Sequence, residues 1–172
     1  WYYIMSIGKI GIKIILDINF LPCILSSCSI KKENGMFKKN DGGRSKYFRG
    51  RHYVGDCVTR AIAINMNKDY LETYGIVADY NKGKRKGGRS ARNGVTNTGT
   101  FNILASLGYK YKKRRMCSKI TLTEPFIADI RHHLVSVTPI KNNDGEYEYC
   151  FEDTWDSSTK YVKGYWIKEW EQ

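Results

Sequence analysis

The sequence predicts an α+β fold in which the helices come first and an antiparallel sheet follows. Two observations lead to this prediction. Apolar residues recur at helical spacing through much of the segment 57–107, whereas the segment 133–167 is rich in β-branched and aromatic residues separated by turn signals. Because helices and strands that are grouped apart along a chain form separate layers, we expect the N-terminal helices to pack on the C-terminal sheet.

The composition indicates one globular domain with a distinct N-terminal part. The chain has 172 residues, 41% of them apolar, which is enough for a real core. Residues 1–36 are rich in isoleucine and are interpreted as an N-terminal extension to a domain of residues 37–172. Lys13 and Asp17 interrupt the apolar run, so neither a membrane span nor a signal peptide is predicted there. Residues 37–54 are basic and glycine-rich, which favours a loop.

Turn and capping residues delimit the helices. Gly55 and Asp56 form a turn signal directly before an apolar stretch that begins at Cys57. Asparagine and threonine are typical N-cap residues, because their side chains accept a hydrogen bond from the first helical turn. The predicted helices are residues 57–66, a second helix that follows Asn67 as its N-cap, residues 98–107 with Thr98 as N-cap and Gly108 after the end, and a short helix at 124–130 with Pro125 in its first turn.

Strand patterns alternate with turn signals in the C-terminal third. Residues 142–145 read Asn-Asn-Asp-Gly, which is typical of a hairpin turn. We therefore expect the strands on either side of this turn to pair, and the next strand to continue them as an antiparallel meander. The predicted strands are residues 109–113, 133–139, 147–153 and 161–167.

Cys57 is the first candidate for chemistry, since it opens the first predicted helix. Unpaired backbone N–H groups and the positive end of the helix dipole favour a thiolate at that position. The alternative is a small buried hydrophobic residue, which is the usual role of a free cysteine in a helix.

His133 and Asp153 complete a possible catalytic set. A cysteine hydrolase needs a thiolate, a histidine that exchanges a proton with it and a polar group that orients the imidazole. His133 starts one strand of the predicted hairpin and Asp153 ends the other, so both lie at the end away from the turn. His132 and Asp156 are the alternatives, although His132 would face the opposite side and Asp156 suits an Asx-turn.

Four short blocks carry a resemblance to known proteins. They are GDCVTRAIAI at 55–64, ARNGV at 91–95, HLVSV at 133–137 and DTWD at 153–156, followed by an aromatic segment at 162–166. A helix-start cysteine, a histidine that opens a strand and an aspartate that closes its partner resemble papain-like cysteine peptidases, in particular those that process double-glycine leaders of bacteriocins. More specifically, the blocks look like a family of mostly uncharacterised phage and bacterial proteins.

The resemblance covers residues 47–167 and implies a papain-like fold and a peptidase activity. It implies that Cys57 is the nucleophile, His133 the general base and acid, and Asp153 the residue that orients the histidine. One feature departs from the pattern, because papain-like peptidases usually carry a glutamine before the cysteine as an oxyanion donor, and this chain has none before Gln172. His52 is a candidate replacement, as is its neighbour at position 51, and Asp56 is a candidate for holding the loop.

The charge of the chain favours an alternative partner. The formal net charge is +12, which attracts polyanions such as nucleic acid. Residues 81–95 form a basic, glycine-rich segment that is read either as a solvated surface loop or as a phosphate contact. A basic stretch with interleaved tyrosines follows at 109–115. The candidate contact residues of the loop are Lys82, Lys84, Arg85, Lys86, Arg89 and Arg92.

The cysteine count bears on compartment and metal binding. Five cysteines at irregular spacing, without a C-x-x-C pair, are a poor framework for disulfides or a zinc site. We therefore expect a reducing, cytoplasmic setting, in the host cytoplasm or the virion if the protein is viral, and no metal or cofactor. The leading hypothesis is a cysteine peptidase or amidase that acts on a peptide, isopeptide or related amide. The alternatives are a basic nucleic-acid-binding protein and a catalytically inactive papain-like binding domain.

Overall fold

A computed structural model describes residues 35–48, 55–82, 91–115 and 119–169. The chain divides into two units, residues 1–31 and residues 32–172, and all described residues belong to the second. The interpretation of residues 1–36 as an extension therefore falls almost wholly outside the described residues. Only Gly35 and Met36 of that segment are described, and both belong to the first strand of the sheet.

The fold is α+β, as predicted, and the described residues form three α-helices and one six-stranded sheet. The strands are β1 (Gly35–Lys39), β2 (Tyr109–Lys113), β3 (Phe126–Ile130), β4 (His133–Lys141), β5 (Tyr147–Asp153) and β6 (Val162–Lys168). The helices are α1 (Cys57–Asn65), α2 (Tyr70–Asn81) and α3 (Asn97–Ser106), and a single 3-10 turn spans Arg44–Lys46.

The strand order is β1-β5-β4-β3-β6-β2, in which β1 runs parallel to β5 and every other neighbouring pair is antiparallel. The predicted hairpin of β4 and β5 is confirmed, but the predicted meander is wrong at its third strand, because β6 pairs with β3 and β2 instead of β5. Val162 and Trp166 of β6 are both buried, in different apolar clusters. A strand that buries side chains on both faces needs a covered position inside a sheet.

The predicted helix at residues 124–130 is also wrong, because residues 126–130 form β3 in the centre of the sheet. Phe126 and Ala128 pack in one apolar cluster, whereas Ile127 packs in the other, so the alternating directions of a strand bury them all. A short, continuously apolar run has no periodicity that separates a buried strand from a buried helix. Residues 126–130 therefore form a strand because they pair with β4 and β6, and local sequence does not encode that pairing.

Helix starts differ from the prediction by two residues. Asp69, not Asn67, is the N-cap of α2, and Thr96, not Thr98, is the N-cap of α3. Each side-chain oxygen accepts a hydrogen bond from a backbone N–H two or three residues further on. Asn67 has a φ of 50° in the turn between α1 and α2, whereas Gly108 follows α3 with a φ of +83°, as expected after a helix end.

The basic segment at 37–54, predicted to be a loop, contributes a strand instead at residues 37–39. These residues belong to β1, which adds a parallel strand to the edge of the hairpin beside β5. Lys38 lies opposite Glu152 in the register and its Nζ is 3.0 Å from the carboxylate. Opposite charges on paired residues support the edge pairing, although each such pair contributes only about 0.2–1 kcal/mol.

The helices pack on one face of the sheet and position the start of α1. Ile62 of α1 is fully buried with Ile127 and Trp166 of the sheet in one apolar cluster. Cys57 packs against the same cluster, which also contains Leu134. The N-terminus of α1 therefore lies against the beginning of β4, where His133 is the first residue.

Candidate active site

Cys57 is the first residue of α1 and is half-buried. The N–H of Arg60 donates to the carbonyl of Asp56, so the N–H groups before it have no acceptor within the helix, as at any helix start. The His133 side chain and the backbone N–H of Leu134 lie beside the sulfur and favour its charged form. Burial alone would raise the pKa of the thiol, but these contacts and the charges of His133 and Arg60 hold that pKa below its ordinary value.

His133 joins Cys57 to Asp153. The His133 Nε2 atom lies 2.5 Å from Asp153 Oδ2, which leaves Nδ1 as the ring nitrogen for the thiol. Burial lowers the pKa of the imidazole, but the hydrogen bonds and charges of Asp153 and Cys57 outweigh it and raise the pKa to about 9. The two pKa shifts have opposite directions, and both favour a thiolate beside an imidazolium at neutral pH.

Asp153 is the last residue of β5 and is 2% exposed. Burial raises the pKa of this carboxyl, but the His133 contact, the charge of Arg60 and the N–H of Thr154 bring it below its ordinary value. A buried carboxylate with several donors remains ionised and orients the imidazole. The structure thus brings Cys57, His133 and Asp153 together, at the end of the hairpin away from its turn.

Arg60 is a site residue that the sequence reasoning missed. It is 5% exposed, and its Nη1 lies 2.6 Å from Asp153 Oδ1 and 3.0 Å from Thr154 Oγ1. Its Nε donates to Asp56 Oδ1 at 2.9 Å. The sequence does contain a signal for this role. An arginine in the apolar stretch of α1, four residues after an aspartate, is typical of a buried ion pair along a helix.

Asp56 supports the site from the other side of Arg60. It is 1% exposed, and its Oδ2 accepts a hydrogen bond from Tyr70 Oη at 2.7 Å, with Arg44 Nη1 3.7 Å away. Both of its carboxylate oxygens accept hydrogen bonds, so its observed role is to hold the start of α1. The other candidate for the oxyanion, His52, lies outside the described residues, as does its neighbour at position 51.

The two rival residues are placed elsewhere. His132 is exposed in the turn between β3 and β4, where its φ is 62°. Asp156 forms an Asx-turn, as predicted, because its Oδ1 accepts from the N–H of Ser158 at 3.0 Å and from its hydroxyl at 2.6 Å. The choice of His133 and Asp153 within each pair therefore agrees with the observed contacts.

Two further features lie next to the residues of the site. The Trp155 ring lies 5.4 Å from the His133 ring between centroids and is 42% exposed, so an apolar surface adjoins the imidazole. Gly55 packs on the backbone of Asn93 and Gly94, where an added Cβ would lie 3.2 Å from the Asn93 carbonyl carbon. The block at 91–95 thus lies beside the residues that lead into the helix start.

The predicted basic contact residues are only partly described. Lys82 is exposed at the end of α2, whereas Arg92 is half-buried with its guanidinium carbon 4.4 Å from the centre of the Phe48 ring. Arg92 is thus packed on an aromatic side chain instead of extending into solvent. Lys84, Arg85, Lys86 and Arg89 lie outside the described residues.

Among the described residues, no group of three or more His, Cys, Asp or Glu side chains is arranged to hold a metal ion. Over the same ranges, no helix has the length and apolar character needed to cross a membrane. No family model, curated protein or solved structure matches this chain. The chemistry of the site is therefore argued from its own residues.

Proposed function

We propose that this protein is a cysteine peptidase, or a related amide hydrolase, of the papain-like type. The observation that carries the proposal is the placement of half-buried Cys57 beside His133, whose Nε2 lies 2.5 Å from Oδ2 of buried Asp153. Nucleophile, base and orienting group are the three parts that a cysteine hydrolase requires. A helix with the thiol at its N-terminus, packed against a hairpin that holds the histidine and the carboxylate, supports the papain-like assignment.

The first half of the reaction forms a thioester. The Cys57 thiolate attacks the carbonyl carbon of the amide, and a carbon–sulfur bond forms as the carbonyl π electrons move to oxygen. The His133 imidazolium then gives its proton to the leaving nitrogen, the carbon–nitrogen bond breaks, and the amine departs. Orphan N–H groups at the start of α1 are the available donors for the oxyanion, since the described residues contain no glutamine before Cys57.

The second half returns the enzyme to its starting state. Neutral His133 takes a proton from water, and the hydroxide attacks the thioester carbon. The carbon–sulfur bond breaks and regenerates the thiolate beside the imidazolium, and the product leaves as a carboxylic acid that then loses its proton to solvent. Asp153 stays ionised throughout and stabilises the imidazolium, which matches its lowered pKa. The scissile amide is a peptide, an isopeptide or a related crosslink.

Alkylation of the thiol at pH 6 tests the proposal. Iodoacetamide should label Cys57 much faster than Cys150, because burial and the neighbouring Glu152 raise the pKa of the Cys150 thiol. Mass spectrometry of the cysteine peptides reports both rates in one sample, so Cys150 is an internal control. Equally slow labelling of the two thiols would contradict the proposal.

A matched pair of histidine variants sharpens this experiment. His133→Asn should slow the labelling of Cys57, since it removes the imidazolium that stabilises the thiolate. His132→Asn should leave it unchanged, because His132 is exposed in a turn and asparagine tolerates its positive φ. Cleavage of a mixed peptide library that is lost in Cys57→Ala then identifies a peptidase. Fast labelling without any hydrolysis would favour the inactive papain-like binding domain.

A second candidate function is polyanion binding through the edge strand β2. Lys110, Lys112 and Lys113 are all exposed on this strand, and Tyr111 beside them is 36% exposed. Aromatic and basic side chains together are suited to nucleic-acid backbones and bases. This surface is built from residues other than the triad, so the two functions are compatible with one another.

A further inference from the structure

We infer that Arg60 is a positioning residue, which acts through Asp153 to keep the His133 imidazole charged and directed at the Cys57 sulfur. The inference rests on the proposed function, because it concerns the same thiol and histidine. Arg60 touches Asp153 directly, and it is not among the residues that the family resemblance assigns to catalysis. Two hydrogen bonds, Arg60 to Asp153 and Asp153 to His133, connect the guanidinium to the imidazole beside the thiol.

The guanidinium is held on two sides, which gives it one orientation. Its Nε bonds Asp56 Oδ1 at 2.9 Å, and its Nη1 bonds Asp153 Oδ1 at 2.6 Å. Asp56 is held in turn by Tyr70 Oη at 2.7 Å. Because the two carboxylates engage different nitrogens of a planar fork, rotation of the guanidinium would break both contacts.

The two carboxylate oxygens of Asp153 have different partners, which supports a positioning role for Arg60. Arg60 and the N–H of Thr154 occupy its Oδ1, which leaves Oδ2 for His133. A carboxylate that is fixed at one oxygen presents the other in a fixed direction. The imidazole that bonds to it is then also fixed, with its remaining nitrogen facing Cys57.

Charge balance explains why the site tolerates a buried arginine. The groups that face Arg60 and Asp153 are Asp56, Arg44 and Tyr70 on one side and His133 with Cys57 on the other, and Lys39 of β1 lies opposite Asp153 in the register. Lys39 is exposed at the sheet edge, and the formal charges of the other groups, two arginines, two aspartates and the thiolate–imidazolium pair, sum to zero. Without Arg60 the two buried aspartates would lose their central partner, and Asp153 would more readily take up a proton.

The pH dependence of Cys57 alkylation tests the inference on the full-length chain. In Arg60→Met the midpoint of the alkylation profile should move up by one pH unit or more, which slows labelling by about tenfold or more at any pH that lies well below both midpoints. Arg44→Met is the matched control, because Arg44 approaches Asp56 at 3.7 Å, whereas Arg60 bonds Asp153 directly. It should move the midpoint much less than Arg60→Met does.

A double substitution shows whether Arg60 acts through Asp153. In an Asp153→Asn background, adding Arg60→Met should produce a much smaller further shift, because only the direct effect of the Arg60 charge on the thiol then remains. If Arg60 had only a structural role, Arg60→Met would lower the stability of the protein. The pH midpoint of Cys57 alkylation would then stay unchanged in the molecules that remain folded. An undiminished second shift would overturn the route through Asp153.

Arg60→Lys keeps the test decisive if Arg60→Met does not fold. Lysine retains the charge but lacks the planar fork, so a shift between those of wild type and Asp153→Asn is expected. A folded Arg60→Lys or Arg60→Met variant with a wild-type midpoint would overturn the inference about Arg60 but not the proposed function. Failure of the proposed function looks different, because the wild-type Cys57 would then label no faster than Cys150.

Discussion

Cys57 and His133 carry pKa shifts of opposite direction. The thiol pKa is lowered and the imidazole pKa is raised to about 9, although burial by itself would have moved each the other way. The pair is therefore stabilised by its own two charges, with Asp153 as a third. Each residue therefore loses part of its pKa shift when the other is removed.

The protonation of His133 gives a prediction at this scale. In an NMR titration the imidazole should change its chemical shift near pH 9 instead of near its ordinary pKa of 6.5. The midpoint should fall in Cys57→Ala and in Asp153→Asn, because each change removes a negative partner of the imidazolium. Asp156→Asn is the control for the second variant, since Asp156 bonds Ser158 instead. A wild-type midpoint near 6.5 would contradict the ion pair.

At the scale of elements, the site lies where the ends of one helix and two strands come together. The first residue of α1, the first residue of β4 and the last residue of β5 supply Cys57, His133 and Asp153. Thr59 in α1 donates to the carbonyl of Ala91 at 3.0 Å, which ties the 91–95 block to the same helix. Small movements of one element would therefore change distances at the thiol.

The pairing of β2 with β6 gives a prediction for strand packing. Gly164 lies under the Tyr111 ring, and an added Cβ would meet its hydroxyl oxygen at 2.3 Å and the Lys112 carbonyl oxygen at 2.8 Å. Gly164→Ala should therefore destabilise the protein by about 1–3 kcal/mol, as overpacking typically does. The free energy of unfolding in urea measures the effect.

Gly75 of α2 is the matched control for this substitution. An added Cβ there meets nothing within 4 Å, and the residue lies inside a helix. Gly75→Ala should stabilise the protein by about 0.4–1 kcal/mol, because alanine loses less backbone entropy on folding. Equal effects of the two substitutions would contradict the close approach of Tyr111 to Gly164.

At the scale of the whole molecule, the net charge of +12 is the dominant property. Opposite charges are paired within the site, so the excess positive charge lies elsewhere on the chain, in part on the exposed lysines of β2. Such an excess attracts polyanions over a distance set by ionic strength. The proposed polyanion binding and the proposed thiol chemistry are therefore separable by substitution.

The charge gives a prediction for nucleic-acid binding. The logarithm of the affinity for a short DNA duplex should fall linearly with the logarithm of salt concentration, with a slope of about −0.9 for each phosphate contacted. Lys112→Gln and Lys113→Gln should each make the slope less steep by about 0.9 if β2 carries the contact. Lys141→Gln, on β4, is the control and should leave the slope unchanged. A slope near zero would exclude phosphate contacts.

The sequence by itself determined the parts that depend on local pattern. The turn at Gly55-Asp56 and the apolar spacing after it predicted a helix that starts at Cys57, as observed. The turn signal at 142–145 predicted the hairpin that brings His133 to Asp153. Capping, helical period and hairpin turns act over a few residues, so they are legible without the rest of the chain.

Only the tertiary structure decided the features that depend on distant partners. Residues 126–130 became a central strand because β4 and β6 flank them, and β1 joined the sheet through its parallel pairing with β5. Arg60 became a site residue because the fold buried it between Asp56 and Asp153, which is 93 residues away in sequence. Burial and long-range charge pairing depend on which surfaces of the fold meet. No short stretch of the sequence contains both residues of such a pair.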